Sequence, residues 1–166
     1  MVTSSYDRLV ALLNGAGARY RFIDHAAEGR TELVSALRGH DPKQAAKCLV
    51  LMVKLGKRST KFVLAVMPGA ARADIDAIKR LYSATYVGFA PAAEAERLSG
   101  CVPGTVLPFP FTDEVELLVD PSLLENPEIY FNAGRLDRSV ALATEDYVRI
   151  VAPRLERIAA AREPRA

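Results

Sequence analysis

Several things are missing from this 166-residue chain, and each absence narrows the reading. Trp is absent, and the only histidines are His25 and His40. That count excludes a His-rich metal site. The two cysteines, Cys48 and Cys101, are far apart and form no CxxC pair. They carry neither zinc spacing nor a disulfide framework, which suits a reducing cytoplasm. No apolar run approaches the ~20 residues of a membrane-spanning helix. The start, MVTSSYDRLV, lacks a basic stretch followed by an apolar one, so a secreted protein is not expected. There is no GK[ST] of a phosphate-binding loop and no GxSxG of a nucleophile elbow.

What is present is ordinary in bulk and uneven in detail. Half the residues are hydrophobic and a quarter are charged, the balance of a globular protein. The length is that of one domain, with the end of the chain, 159–166, expected to fray. The formal net charge is +2, but residues 1–83 hold 14 Lys and Arg against 7 Asp and Glu. Residues 84–148 hold 3 against 11, and 149–166 hold 5 against 2. A basic first half raises the question of a polyanion partner. The bland alternative is that the two halves fold into one mixed surface.

The spacing predicts a helix capped by Ser4 and Ser5, running through Leu13 and ending near Gly15 or Gly17, and a short strand at Tyr20–Ile23. A second helix capped by Thr31 should close at Gly39. Cys48–Val53 and Phe62–Met67 are continuous apolar runs of strand length, joined by a charged turn. They read as a hairpin buried on both faces. Helices are expected at 74–81 and 92–98, and strands at 84–87, 115–119, 128–131 and 140–142. Thr144 should cap a last helix that Pro153 interrupts. Strands and helices alternate without regular βαβ units. The expected fold is mixed α/β (α+β), a mostly antiparallel, barrel-like sheet flanked by helices.

Three loop elements carry candidate chemistry. Lys47, in Gln44–Lys47, adjoins the first apolar strand and could offer a fixed ammonium to a phosphate, hydroxyl or carbonyl. It could equally be a surface lysine whose stem lies on apolar surface. The segment 100–110, GCVPGTVLPFP, combines glycines that let backbone dipoles approach a ligand with prolines that stiffen the loop. Such preorganised dipoles can stabilise an acyl-transfer transition state. The third element, 131–139, gathers amide, carboxylate, guanidinium and hydroxyl groups, or is simply a polar hairpin turn. Cys48 reads as a small buried thiol. Cys101, on the loop, is the better but still weak nucleophile candidate. His25 follows a strand and reads either as a site residue or as a satisfied structural histidine.

In order along the chain, QAAKCLV at 44–50, GTVLP at 104–108 and FNAG at 131–134 together resemble the YbaK family, the prolyl-tRNA synthetase-associated editing domains. LSGCVPGTVLPFPF and FNAGRLDRSVALATEDYVRI look closest to its YeaK-like branch, and the resemblance runs from about Tyr6 to Ile150. It implies an enzyme that hydrolyses the ester of mischarged aminoacyl-tRNA, seryl or threonyl in that branch. Other branches remove alanine or cysteine from proline tRNA, and a silent tRNA- or synthetase-binding module is the alternative of another class. The family lysine maps onto Lys47 and its GxxxP loop onto Gly104–Pro108. Lys47 and Gly104 are therefore the expected catalytic positions. Thr105, Val106, Leu107, Pro108, Asn132, Gly134, Asp137, Ser139 and His25 are expected around the substrate.

Where several relatives have Asp or His, this chain has Ser139, with Asp137 expected on the same side if the segment is strand. Lys54, Lys57, Arg58 and Lys61 are candidates for tRNA phosphates, with the RNA against the basic first half. The expected partners are the acceptor end of an aminoacyl-tRNA and, secondarily, a synthetase. No cofactor, metal, DNA or membrane partner is expected.

Overall fold

The computed structural model describes residues 4–161. Helix α1 (Ser5–Gly15) begins where Ser4 Oγ accepts the Asp7 N–H at 3.1 Å. Strand β1 (Tyr20–Asp24) leads to α2 (Thr31–Arg38). Thr31 is the first helical residue of α2 rather than its cap, which is Arg30. The helix closes at Gly39, as expected, in the left-handed conformation with φ 81°. A 3₁₀ turn at Pro42–Gln44 then feeds β2 (Ala46–Lys54).

Next come β3 (Thr60–Pro68), β4 (Ala71–Ala73), α3 (Ile75–Tyr82), β5 (Tyr86–Phe89) and α4 (Ala92–Ser99). An irregular stretch leads to β6 (Val115–Val119) and a 3₁₀ turn at Pro121–Glu125. The chain ends with β7 (Glu128–Asn132), β8 (Arg138–Ala143), α5 (Thr144–Val151), β9 (Arg154–Leu155) and β10 (Ala159–Ala161). Ala143, not Thr144, occupies the cap position of α5, because the Thr144 hydroxyl donates to the Asn126 carbonyl instead. Helix α5 ends before Pro153, whose ring cannot continue it.

The strands form a five-stranded sheet in the order β5-β2-β3-β6-β9, a three-stranded sheet β1-β8-β7 and a two-stranded pair β10-β4. Pairing is antiparallel except at β3-β6 and β6-β9. The mixed α+β class holds, but the expected barrel does not close. Among the described residues the two larger sheets share only the isolated bridge between Ala45 and Tyr130. The expectation of fraying is also corrected for 159–161, since β10 pairs with β4. Residues 162–166 lie outside the described part.

The apolar runs of β2 and β3 are explained by two cores, one on each face of the hairpin. Even-numbered Ala46, Val50, Leu64 and Val66 face a cluster shared with α1, β7 and β8. Odd-numbered Leu51, Val53, Val63 and Ala65 face a second cluster with Ile78 of α3 and Leu118 of β6. Each fully buried side chain of this size contributes roughly 1.5–3 kcal/mol. The hairpin is therefore the fixed rail of the molecule, and the site is built at its Lys47 end.

Candidate active site

Four segments converge at the start of β2: residues 25–31, helix α2, the loop 100–108 and the end of β7. They enclose a cavity of about 230 Å³ lined by Lys47, Gly29, Thr31, Gly104, Val106 and Asn132 together with Arg38. That volume is below the ~300 Å³ lower end for drug-sized ligands, so it suits a small group. Glycine makes the closeness possible. Gly104 has φ 83°, and a Cβ on it would stand 2.8 Å from the Cα of Gly29. Two backbones in van der Waals contact form the rim, which no other residue pair allows. A second, more open groove of about 550 Å³ adjoins the first and shares Gly29, Thr31 and Lys47 with it.

Lys47 stands where the two spaces meet. It is half-buried, and its Nζ donates to the Ala71 carbonyl at 2.7 Å. Burial lowers the pKa of its ammonium, and no carboxylate among the described residues offsets this. A cation held by a neutral acceptor keeps donors free for an incoming oxygen.

Along the loop, Val106 is half-buried at the cavity wall, and its N–H has no partner among the described residues. It can therefore serve an oxyanion. Thr105, Leu107 and Pro108 brace the loop from behind. Thr105 Oγ1 donates to the Val102 carbonyl at 2.8 Å, and Leu107 is buried in the larger core. The Tyr147 hydroxyl donates to the Pro108 carbonyl at 2.7 Å.

Asn132 ties the site together. Its Nδ2 donates to the carbonyls of Glu28 and Gly104, both at 2.9 Å. Its Oδ1 accepts from the Ser139 hydroxyl at 2.9 Å and from Arg38 Nη2 at 2.9 Å. Ser139 is fully buried, and its Oγ also meets Arg38 Nε and His25 Nε2, each at 2.7 Å. Ser139 accepts from Arg38 Nε and has one proton, which goes to Asn132 Oδ1 or to His25 Nε2 according to the imidazole tautomer. A Ser–His contact thus exists, but a serine held this way and walled off from the cavity is no nucleophile. His25 Nδ1 faces the Ala26 carbonyl at 2.8 Å. His25 and Ser139 therefore support the floor rather than line it.

Asp137 and Gly134 lie elsewhere. Asp137 precedes β8, so strand alternation does not apply. Its carboxylate pairs with Arg135 at the surface, at 2.9 Å, instead of facing Ser139's side. Gly134, with φ 74°, packs its Cα against Ser5 and Tyr6 at the start of α1. Cys48 is only partly buried and lines the cavity, so the expected buried thiol is corrected, while desolvation pushes its thiol pKa well up. Cys101 is buried. Among the described residues there is no group of three or more His, Cys, Asp or Glu that could hold a metal ion.

The profile of the aminoacyl-tRNA editing domain matches residues 25–150. The chain belongs to the aminoacyl-tRNA editing domain family. The chain is 41% identical over 152 residues to the multifunctional Ser/Thr-tRNA deacylase ProXp-y of Escherichia coli K12, covering 91% of this chain and 90% of that protein. Among solved structures it resembles the hypothetical protein APE2540, with TM-score 0.81 and 21% identity over 92% of this chain and 99% of that one. It also resembles a proposed trans-editing enzyme for prolyl tRNA synthetase, with TM-score 0.77 and 19% identity over 96% and 99% of the two chains.

In this editing domain the four candidate tRNA cations lie away from the cavity. Lys47 and Lys54 are at opposite ends of β2, so the hairpin tip is roughly 23 Å from the site. Lys57 and Arg58 are exposed there. Lys54 stands over the Tyr86 ring at 5.6 Å, and Lys61 is paired with Glu116. Sequence reading of the editing domain missed Arg38, Glu28 and Gly29. Arg38 had one available signal, its place just before a capping glycine, but a basic residue in the last helical turn is common for dipole reasons alone.

Proposed function

We propose that this chain is a trans-editing aminoacyl-tRNA deacylase acting on seryl and threonyl esters. The observation that carries the reading is Lys47, a half-buried ammonium without a carboxylate partner among the described residues, facing the Gly104–Val106 loop across a cavity of amino-acid size. Family membership and the 41% identity to a Ser/Thr-tRNA deacylase support the substrate class. The aminoacyl group enters the small cavity, and the terminal ribose and its phosphates occupy the open groove beside Lys47. Water adds to the carbonyl carbon, the bond to the ribose oxygen breaks, and the proton ends on that oxygen. Amino acid and free tRNA leave. The Val106 N–H faces the developing oxyanion, and Lys47 holds the 3′ end in place. No protein nucleophile is needed, and the ribose 2′-hydroxyl assists the attack.

The test is single-turnover hydrolysis of tRNAs charged with Ser, Thr, Ala and Cys. Hydrolysis led by the Ser and Thr esters supports the reading. Binding without hydrolysis across the panel would instead make the chain a tRNA-docking module. Association with a synthetase belongs to the same proposal, and co-purification with one checks it.

A further inference from the structure

We propose that Arg38 is the specificity residue of the cavity and reads the side-chain hydroxyl of the bound aminoacyl group. The proposal rests on the deacylase reading and adds to it the group that selects the substrate. Arg38 borders only the enclosed cavity, whereas Lys47 borders both the cavity and the groove. With the ribose in the groove, the aminoacyl side chain lies in the part of the site that Arg38 borders.

Its fork is fixed by neutral acceptors alone: Ser139 Oγ at 2.7 Å, Asn132 Oδ1 at 2.9 Å and, more loosely, His40 Nε2 at 3.5 Å. His40 is itself held, with Nδ1 donating to the Asp41 carbonyl at 2.8 Å and the ring stacked 3.8 Å from that of Tyr130. A guanidinium has five N–H donors. One on Nη1 and one on Nη2 remain without an acceptor among the described residues. Burial pushes Arg38 down to about 10, and no carboxylate among the described residues counters it. Donors in such a place are costly to leave unmet.

A small aminoacyl group can meet them in one way. Its α-amine is repelled by the guanidinium. A side-chain hydroxyl oxygen accepts from it. An alanyl methyl leaves both donors unmet. Sites built to hydrogen-bond a hydroxyl reject the analogue lacking it more strongly than size alone allows.

The experiment compares one tRNA charged with threonine or with 2-aminobutyrate, which is threonine with the hydroxyl replaced by hydrogen. Single-turnover rates are measured for the wild type, Arg38→Met and Arg38→Lys. The wild type should favour threonyl ester by at least about tenfold. Arg38→Met should bring the ratio close to one by slowing the threonyl reaction, with Arg38→Lys between. A wild type that does not distinguish the two esters overturns the assignment, whether or not the variants fold. So does an Arg38→Met ratio equal to the wild-type ratio, including one reached by equal loss on both esters. A wild type inactive on both contradicts the deacylase reading itself.

Discussion

Lys47 and Glu28 show how single side chains set the site. The Lys47 ammonium is desolvated, so its pKa is lower than that of a free lysine. The enzyme-dependent rate should therefore begin to fall on the alkaline side below the free-lysine value of ~10.4. Lys47→Arg should move that fall upward, because arginine stays charged. A pH–rate profile corrected for spontaneous hydrolysis checks both. Glu28 is held at about 2 by its hydrogen bonds to the Arg30 side chain, then to the Arg30 and Gly29 N–H groups. A lowered carboxylate pKa adds stability above the unfolded value of 4.5 and loses it as pH falls toward 2. Protection factors at Gly29 and Arg30, corrected for the intrinsic pH dependence of amide exchange, should fall across that window in the wild type and be low already at neutral pH in Glu28→Gln.

Lys47 and Asn132 were legible in the sequence because they lie in short motifs. Arg38 was not, since its role comes from Ser139, which stands 101 residues away in the chain.

At the scale of elements, the hairpin and the glycine rim carry the site. Leu51 is fully buried between β2 and α3, and Leu51→Ala should lower stability by about 2–5 kcal/mol in denaturant unfolding. Gly104→Ala should also cost stability, about 1–2 kcal/mol from its left-handed backbone alone, with the Cβ clash against the Gly29 backbone adding to it. It should slow deacylation at least about tenfold, because the new Cβ pushes the loop off Gly29 and moves the oxyanion donor. Strand β6 and helix α4 were legible from periodicity and from the proline before α4. Strands β4, β9 and β10 were not. They are two or three residues long, and Ala71–Ala73 and Ala159–Ala161 carry no β-branched or aromatic signal. Barrel closure was misjudged because sheet edges are set by long-range pairing, which local alternation does not encode.

Over the whole molecule the charge split is partly cancelled by folding. Arg19 pairs with Glu145 and Asp146, Arg21 with Glu128, and Lys61 with Glu116, each joining the basic first half to the acidic middle. Lys57 and Arg58 at the hairpin tip remain exposed and in no ion pair among the described residues. For an RNA lying against the basic first half, that tip is roughly 23 Å from the 3′ end at Lys47, over the elements that cover the hairpin. Exchanging both for Glu should weaken tRNA binding and reduce its salt dependence, with single-turnover kcat at saturation little changed. An unchanged salt slope would place the RNA on another face.

The central claim is that Lys47 serves ester hydrolysis at this cavity. The most direct measurement is single-turnover deacylation of Ser-charged tRNA by the wild type, Lys47→Ala, Cys48→Ala and Cys101→Ala, each checked for its folded state. The account predicts at least about a hundredfold loss for Lys47→Ala, on the order of what misplacing the bound ester costs, and near wild-type rates for both cysteine variants. A folded Lys47→Ala protein with full activity would contradict it.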